Sequence, residues 1–409
     1  MNAPTLRFKD FNGKWSANTL KEITIGLEYG MNAAAKSFDG ENQYIRITDI
    51  DDNSRRYILE NPVSPEGKLS DNYLLEEGDI LFARTGASTG KSYLYKVTDG
   101  KMYFAGFLIR ARLNKDVVSK FIYLQTLTKR FNDWVKIMSM RSGQPGINAK
   151  EYGEFTIQLT SHDEQLKIAD FFTLLDQRIE KQREKIKLLK TQKKGLMQKI
   201  FNQELRFKDN NGQEYPEWEY EHLNKLGDFG KSYAYARSVE GEGEYRYIHY
   251  GDIHSSYPTV CENITFPMIT NEQEHECLLD GDIVFADASE DYADLGKAVL
   301  IKDINEQRII AGLHTHKFTP NNRLDSLYFI YFTQTKEYRE FIRKMGTGVS
   351  VLGISKTNLS KLEVPLPSLI EQKKISKPIY ILDKKIQHEQ IKIATLQSQK
   401  QAFMQQMFI

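Results

Sequence analysis

Residues 172–200 read FTLLDQRIEKQREKIKLLKTQKKGLMQKI, and residues 379–407 read IYILDKKIQHEQIKIATLQSQKQAFMQQM. Counted in alternating steps of three and four, the first stretch gives Phe172, Leu175, Ile179, Gln182, Ile186, Leu189, Lys193, Leu196 and Ile200. The second, 207 residues on, gives Ile379, Leu382, Ile386, Glu389, Ile393, Leu396, Lys400, Phe403 and Met407. Each is the a/d seam of a coiled-coil helix, sustained over about four heptads. The polar interruptions coincide, Gln182 with Glu389 and Lys193 with Lys400, and polar seam residues fix register and partner at some cost in stability. Each helix supplies the stripe the other must bury. The pair therefore predicts an intramolecular coiled coil, antiparallel if a pseudo-twofold relates the two copies. With about 40 residues the first helix would be a spacer of roughly 60 Å. Pro378 stands where the first copy has Phe171, and proline suits only the first turn of a helix. Residues 371–377 are accordingly expected to form a separate short turn or to sit at an angle.

Outward from the helices, the whole chain is duplicated. Leu6-Arg7-Phe8-Lys9-Asp10 returns as Leu205-Arg206-Phe207-Lys208-Asp209, and Gly78-Asp79-Ile80-Leu81-Phe82-Ala83 as Gly281-Asp282-Ile283-Val284-Phe285-Ala286. The offset grows from 199 at Leu6/Leu205, through 203 at Gly78/Gly281, to 207 at Asp176/Asp383. A unit of that length is a domain with its connection, since solenoid repeats span about 20 to 50 residues. Before each seam come short apolar runs with turn signals at Asn12-Gly13, Asp39-Gly40, Glu77-Gly78 and Asp99-Gly100, which read as strands and hairpins. A helical stretch interrupts them from about Phe121 to Met138, matched near Leu327 to Met345. The expectation is an α+β fold with two homologous globular domains in tandem. Their bounds are 1–160, a helix over 161–204, a second domain over 205–368 and a second helix over 369–409.

With 40% hydrophobic and 11% aromatic residues, each lobe has material for a core. No run approaches the ~18 apolar residues of a membrane span, and no charged segment leads into an apolar one as in a secretory signal. Cys261 and Cys277 are the only cysteines, both in the second copy, so neither a disulfide framework nor a Cys-based zinc site is expected. A reducing cytoplasm is the natural setting. A formal charge of +1 argues against coating nucleic acid by bulk charge while leaving room for local basic patches.

Catalytic motifs fail on inspection. Thr85-Gly86-Ala87-Ser88-Thr89-Gly90-Lys91-Ser92 approaches a phosphate-binding loop, but Thr85 replaces the first glycine and a strand-like Tyr93-Leu94-Tyr95 follows where a helix is required. His314 and His316 form an H-x-H pair opposite Leu108 and Arg110, without a third ligand at metal spacing, and alternation along a strand explains them. Glu371-Gln372-Lys373 has the E-x-K form common in any charged helix. No catalytic constellation and no metal site is expected. What remains is a set of matched positions that differ in polar chemistry: Arg46 against His249, Arg84 against Asp287, Arg110 against His316. Two lobes with one scaffold and different polar side chains look like two readers of different targets.

In this doubled order, the Gly-Asp-Ile turns, Glu164-Gln165 and Glu371-Gln372, and the Leu-Asp entries to the long helices together resemble the specificity subunit of type I restriction-modification enzymes. The first copy departs from the pattern at Leu159-Thr160-Ser161-His162, which lacks the approach Pro365-Leu366-Pro367. The resemblance implies two target-recognition domains held apart by paired helices, each reading half of a bipartite, asymmetric sequence in double-stranded DNA. It also implies two methyltransferase subunits and restriction subunits as partners, which would bring S-adenosylmethionine, ATP and Mg; this chain would itself be non-catalytic and bind no cofactor. Candidate base readers are Arg46, Arg84, Ser88, Lys91, Arg141 and Gln144 in the first lobe. In the second they are His249, Tyr250, Asp287, Ser289, Lys297, His316 and Ser350. Nine Lys/Arg against two Asp/Glu between Arg178 and Lys199 form either a solvated helix face or a contact with DNA or an acidic partner. A bivalent protein-binding scaffold is the reading from another class.

Overall fold

The computed structural model describes residues 4–140, 144–270 and 273–408. Two compact units appear, one running to Arg183 and resuming at Ile391, the other spanning Glu184–Gln390. Each is mixed α+β and contains a lobe with part of both long helices, His162–Phe201 and Leu369–Met407.

In the first unit four antiparallel strands lie in the order Thr24–Tyr29, Leu108–Leu113, Ile80–Ala83, Ser92–Leu94. Ile80–Ala83 is buried at every position because both faces of this sheet are covered. Ile80 and Phe82 point into a core with Phe121, Leu124 and Phe131, while Leu81 and Ala83 join Ile45, Tyr93 and Phe104 on the other side. That period-2 division accounts for an unbroken apolar run. The second unit repeats the order with Gly227–Phe229, Thr315–Pro320, Ile283–Ala286 and Ala298–Lys302, and adds a parallel strand, Val260–Glu262. The helical stretch is in each case two helices, Ser119–Gln125 with Lys129–Met138 and Ser326–Phe332 with Lys336–Met345. The breaks fall where Thr128 caps the amide of Phe131 and Thr335 that of Tyr338.

The repeated motifs hold this frame together. Asp79 and Asp282 are almost wholly buried, accept from the amides of Glu76 (2.9 Å) and Leu279 (2.7 Å), and neutralise buried cations. Asp79 faces Arg112 at 2.9 Å and Arg110 at 3.9 Å; Asp282 faces Lys317 at 3.3 Å. Strand register thus corrects one expectation. Leu81 lies opposite Arg110 and Val284 opposite Lys317, so Arg110 corresponds to Lys317, and His316 corresponds to Ile109. The extra residue lies upstream, in the loop 303–307, since Phe104 already pairs with Ile45 as Ala311 does with Ile248; Asp303, Asn305 and Glu306 of that loop are in the left-handed region. Arg7 and Arg206 of the amino-terminal repeats each clasp a fully buried glutamate at a helix start, Glu164 and Glu371, at 2.6 and 3.3 Å. The neighbouring glutamines, Gln165 and Gln372, accept from the amides of Val118 and Asp325.

Every seam position is buried or half-buried. In the first unit Phe171 meets Phe403 and Asp176 receives both Lys400 (2.6 Å) and Lys120 (2.7 Å). In the second unit Lys185 meets Glu389 and Lys193 meets Asp383, each at 2.7 Å. In both, ascending numbers on one helix meet descending numbers on the other, so the pairing is antiparallel. The seam lysines are therefore satisfied by the Leu-Asp aspartates of the opposite helix. Residues either side of Pro378 form one continuous helix, not a helix preceded by a separate turn. Buried Glu371, Gln372 and Ile375 anchor its first turns to the lobe, which offsets the hydrogen bond that proline cannot make.

Glu262, on the added strand, accepts from Tyr380 and pairs with Lys302 and Lys384, which ties the second lobe to its helix. Burial alone would raise its pKa, but the hydrogen bonds from Lys302, Lys384 and Tyr380 outweigh that and hold it at about 2. A depressed carboxylate stabilises the fold above its unfolded pKa of about 4.3, and that contribution fades as pH falls toward the folded value. Glu262→Gln should therefore flatten the decline in urea midpoint between pH 4.5 and 2.5; an unchanged slope would remove Glu262 from the acid response.

Candidate nucleic-acid interface

In the first lobe Arg84 follows the fully buried strand Ile80–Ala83, so its backbone is fixed while its side chain leaves the sheet. The guanidinium lies against the rings of Tyr29 (5.1 Å) and Phe107 (5.7 Å), and Nε donates to Gly106 O at 2.9 Å. Its two terminal nitrogens have no hydrogen-bond partner among the described residues. The next turn, Gly86–Ser88, is pinned by Gly86 N donating to Pro145 O (2.9 Å), and Ile147 N donates to Arg84 O (2.9 Å). Exposed Gln144 lies over Gly86. Arg84, Ser88 and Gln144 are thus gathered at one edge. Arg141 lies outside the described residues. Arg46 is half-exposed and holds Asp49 through two 2.8 Å hydrogen bonds.

The Gly-Lys turns are used inward. Gly90 (φ +86°) and Gly296 (φ +68°) would place a Cβ 2.6 Å from Val135 and Ile342, equivalent positions on the second short helix of each lobe. Lys91 is buried, donates to Ile50 O at 2.9 Å and pairs with Asp52; Lys297 donates to His254 O. Both lysines therefore brace the turn from behind. Ser289 is buried and accepts from the amide of Asp291 at 3.2 Å.

In the second lobe Asp287 occupies the place of Arg84, with its amide bonded to His314 O and its carbonyl accepting from Ile354 N. Its carboxylate stands 3.2 Å from His314 Nδ1 and 3.6 Å from His316 Nε2. His316 is pushed below the usual imidazole range by burial and contacts Ile354 O at 2.9 Å through Nε2, which as a donor there carries the proton. His249 is also lowered by burial; its Nδ1 accepts from Gly251 N at 3.1 Å, leaving an N–H on Nε2. The rings of His249 and Tyr250, 4.6 Å apart, continue to His314, 5.3 Å from Tyr250. Ser350 is exposed on the adjoining loop. At one and the same place in the frame, the first lobe presents a donor fork and the second an acceptor flanked by imidazoles.

Residues 12–190 and again 215–398 match the model of the type I restriction modification DNA specificity domain. The chain belongs to that family. It is a DNA specificity subunit of a type I restriction-modification system, a kind of subunit whose catalytic work lies on its partners. Its similarity to the type I restriction enzyme MjaVIII specificity subunit of Methanocaldococcus jannaschii is 24% identity, over 82% of this chain and 79% of the relative. The putative MjaX specificity subunit of the same organism is 26% identical over 90% and 87%. In fold, the specificity subunit resembles the type I restriction-modification S subunit from M. genitalium, with a TM-score of 0.63, 16% identity and coverage of 100% and 99%. A second solved chain, from work on assembly and conformational transition of the type I system, gives 0.55 at 16% identity over 95% and 96%. Among the described residues no group of His, Cys, Asp and Glu could hold a metal, and no helix is long and apolar enough to cross a membrane.

Side chains that sequence reasoning missed include Tyr29 and Phe107, which orient Arg84. The signal was weak, because an aromatic at the end of a strand, as Tyr29, or in the turn just before one, as Phe107, reads as core.

Proposed function

We propose that each lobe of this specificity subunit reads one half of a bipartite, asymmetric target in double-stranded DNA. The paired helices set the gap and dock two methyltransferase subunits, with restriction subunits completing the assembly. S-adenosylmethionine, ATP and Mg belong to those partners, and the complex works in the cytoplasm. The observation that carries the half-site reading is the exchange of Arg84 for Asp287 on one backbone frame. An arginine fork fits guanine O6 and N7, whereas a carboxylate accepts from cytosine N4, so the two edges discriminate different bases. Arg84, Ser88, Gln144 and Arg46 read the first half-site; Asp287, His249, Tyr250, His316 and Ser350 read the second. Lys91, Lys297 and Ser289 hold the turns from which the readers project. Arg141, three residues before Gln144 in the sequence, belongs with the readers of the first half-site.

The test is to map methylated adenines in a genome carrying this subunit, together with salt-dependent binding of the complex to the duplex so defined. Arg84→Ala should relax the first half-site at one position, at a cost of about 1–3 kcal/mol, and leave the second unchanged. An unaltered methylation motif would exclude Arg84 as a reader, and a chain that binds no duplex with its methyltransferase would sink the proposal.

A further inference from the structure

The loop Thr347–Gly353 of the second lobe closes on itself, Thr347 N donating to Gly353 O (2.9 Å) and Gly353 N to Thr347 O (2.7 Å). Leu352 is buried and paired with Ser289 beside Asp287. The tip is the opposite: Val349 is 99% exposed and Val351 62%. Gly348, at φ +126°, makes the turn, and a Cβ there would lie 2.0 Å from Val351 O. Two apolar side chains are thus held out into water by a rigid turn and gain little burial from folding. Beneath them Asp287, His314 and His316 line a shallow cavity of about 390 Å³ that Val351 shares. Just before the loop, Arg343 and Lys344 end the helix Lys336–Met345, both exposed and without an ion pair among the described residues.

The first lobe builds the same frame, with Thr85 bridged to Gly146, but its matching tip residues are Ser142, outside the described residues, and Gln144. The tips therefore differ in kind, amide in one lobe and apolar in the other. Two valines are too small a patch for a stable protein partner, whose interface buries about 800 Å² per side. Free cations beside the tip favour a polyanion. The one apolar feature that the major groove of DNA displays is the thymine 5-methyl group.

We propose that Val349 and Val351 are specificity determinants of the second lobe that pack on thymine methyl groups, with Arg343 and Lys344 on the flanking phosphates. This rests on the half-site reading above and names the base class for one lobe. The probe is the duplex target with each thymine of the second half-site replaced in turn by deoxyuridine, which removes the methyl and keeps the pairing edge. It is titrated with the specificity subunit assembled with its methyltransferase subunits. At one or two positions the affinity should drop about fourfold, the worth of burying one methyl group. Val349→Ala/Val351→Ala should abolish that difference while leaving discrimination in the first half-site intact. Arg343→Gln/Lys344→Gln should weaken all sequences alike and lower the salt slope by about 2. Equal binding of every deoxyuridine duplex, discrimination that survives the valine substitutions, or a second half-site without thymine on either strand overturns the proposal. Failure of the unsubstituted complex to prefer any sequence would instead overturn the half-site reading and this proposal with it.

Discussion

Asp176→Leu should lower the unfolding free energy by about 3–5 kcal/mol, the range for breaking a largely buried ion pair from one side. Asp176 takes Lys400 at 2.6 Å and Lys120 at 2.7 Å, and all three side chains are less than a quarter exposed. Removing the carboxylate leaves two ammonium groups side by side against an apolar seam. Replacing all three at once, Asp176→Leu with Lys120→Met and Lys400→Met, should recover most of the loss, because an apolar substitute of similar volume removes the desolvation cost as well as the attraction. The measurement is a urea midpoint for each variant. A single variant within 1 kcal/mol of the parent, or a triple variant no better than the single, would show that the seam does not depend on this cluster.

Gly296→Val should cost about 2–5 kcal/mol and abolish recognition by the second lobe. A β-branched residue at φ +68° contributes roughly 1–2 kcal/mol of backbone strain. Its Cβ would also meet Ile342 at 2.6 Å and the Tyr338 hydroxyl at 3.1 Å, an overpacking worth about 1–3 kcal/mol more. The turn that must move to relieve the overlap is the one that follows Asp287, so the readers move with it. Gly296→Ala combined with Ile342→Ala separates the two contributions. The pair should be less destabilising than the sum of its parts, since truncated Ile342 no longer meets the new methyl. Strict additivity would mean that backbone strain alone carries the effect.

Much of the scaffold was legible in the sequence because duplication supplied a second measurement of every periodic pattern. The helix seams, the antiparallel pairing and the α+β lobes follow from apolar spacing, which burial enforces. The continuity of the second helix through Pro378 was not legible, because it depends on Glu371, Gln372 and Ile375 gripping the lobe from residues far away in the chain. The correspondence of Arg110 with Lys317 was hidden by a single residue added in the loop 303–307, which shifts the following strands by one and exchanges their faces. Among candidate readers, exposed and buried lysines look alike in sequence. Lys91 follows a glycine in a polar turn, yet its ammonium ends on a carbonyl in the interior. Val349 and Val351 give no signal in the sequence for the converse reason: valines in the run Gly348-Val349-Ser350-Val351-Leu352 read as filler for a core, and only the closed loop turns them outward.

The core around Trp15 draws on Met404, Met407 and Phe408, and Leu6 hydrogen-bonds through its amide to Gln406 O. A nascent chain therefore cannot finish its first lobe when that lobe has left the ribosome. Residues 184–390, by contrast, are contiguous, so the second unit draws on no segment from elsewhere in the chain. The lobe whose synthesis begins first therefore closes only after residues 404–408 have been made.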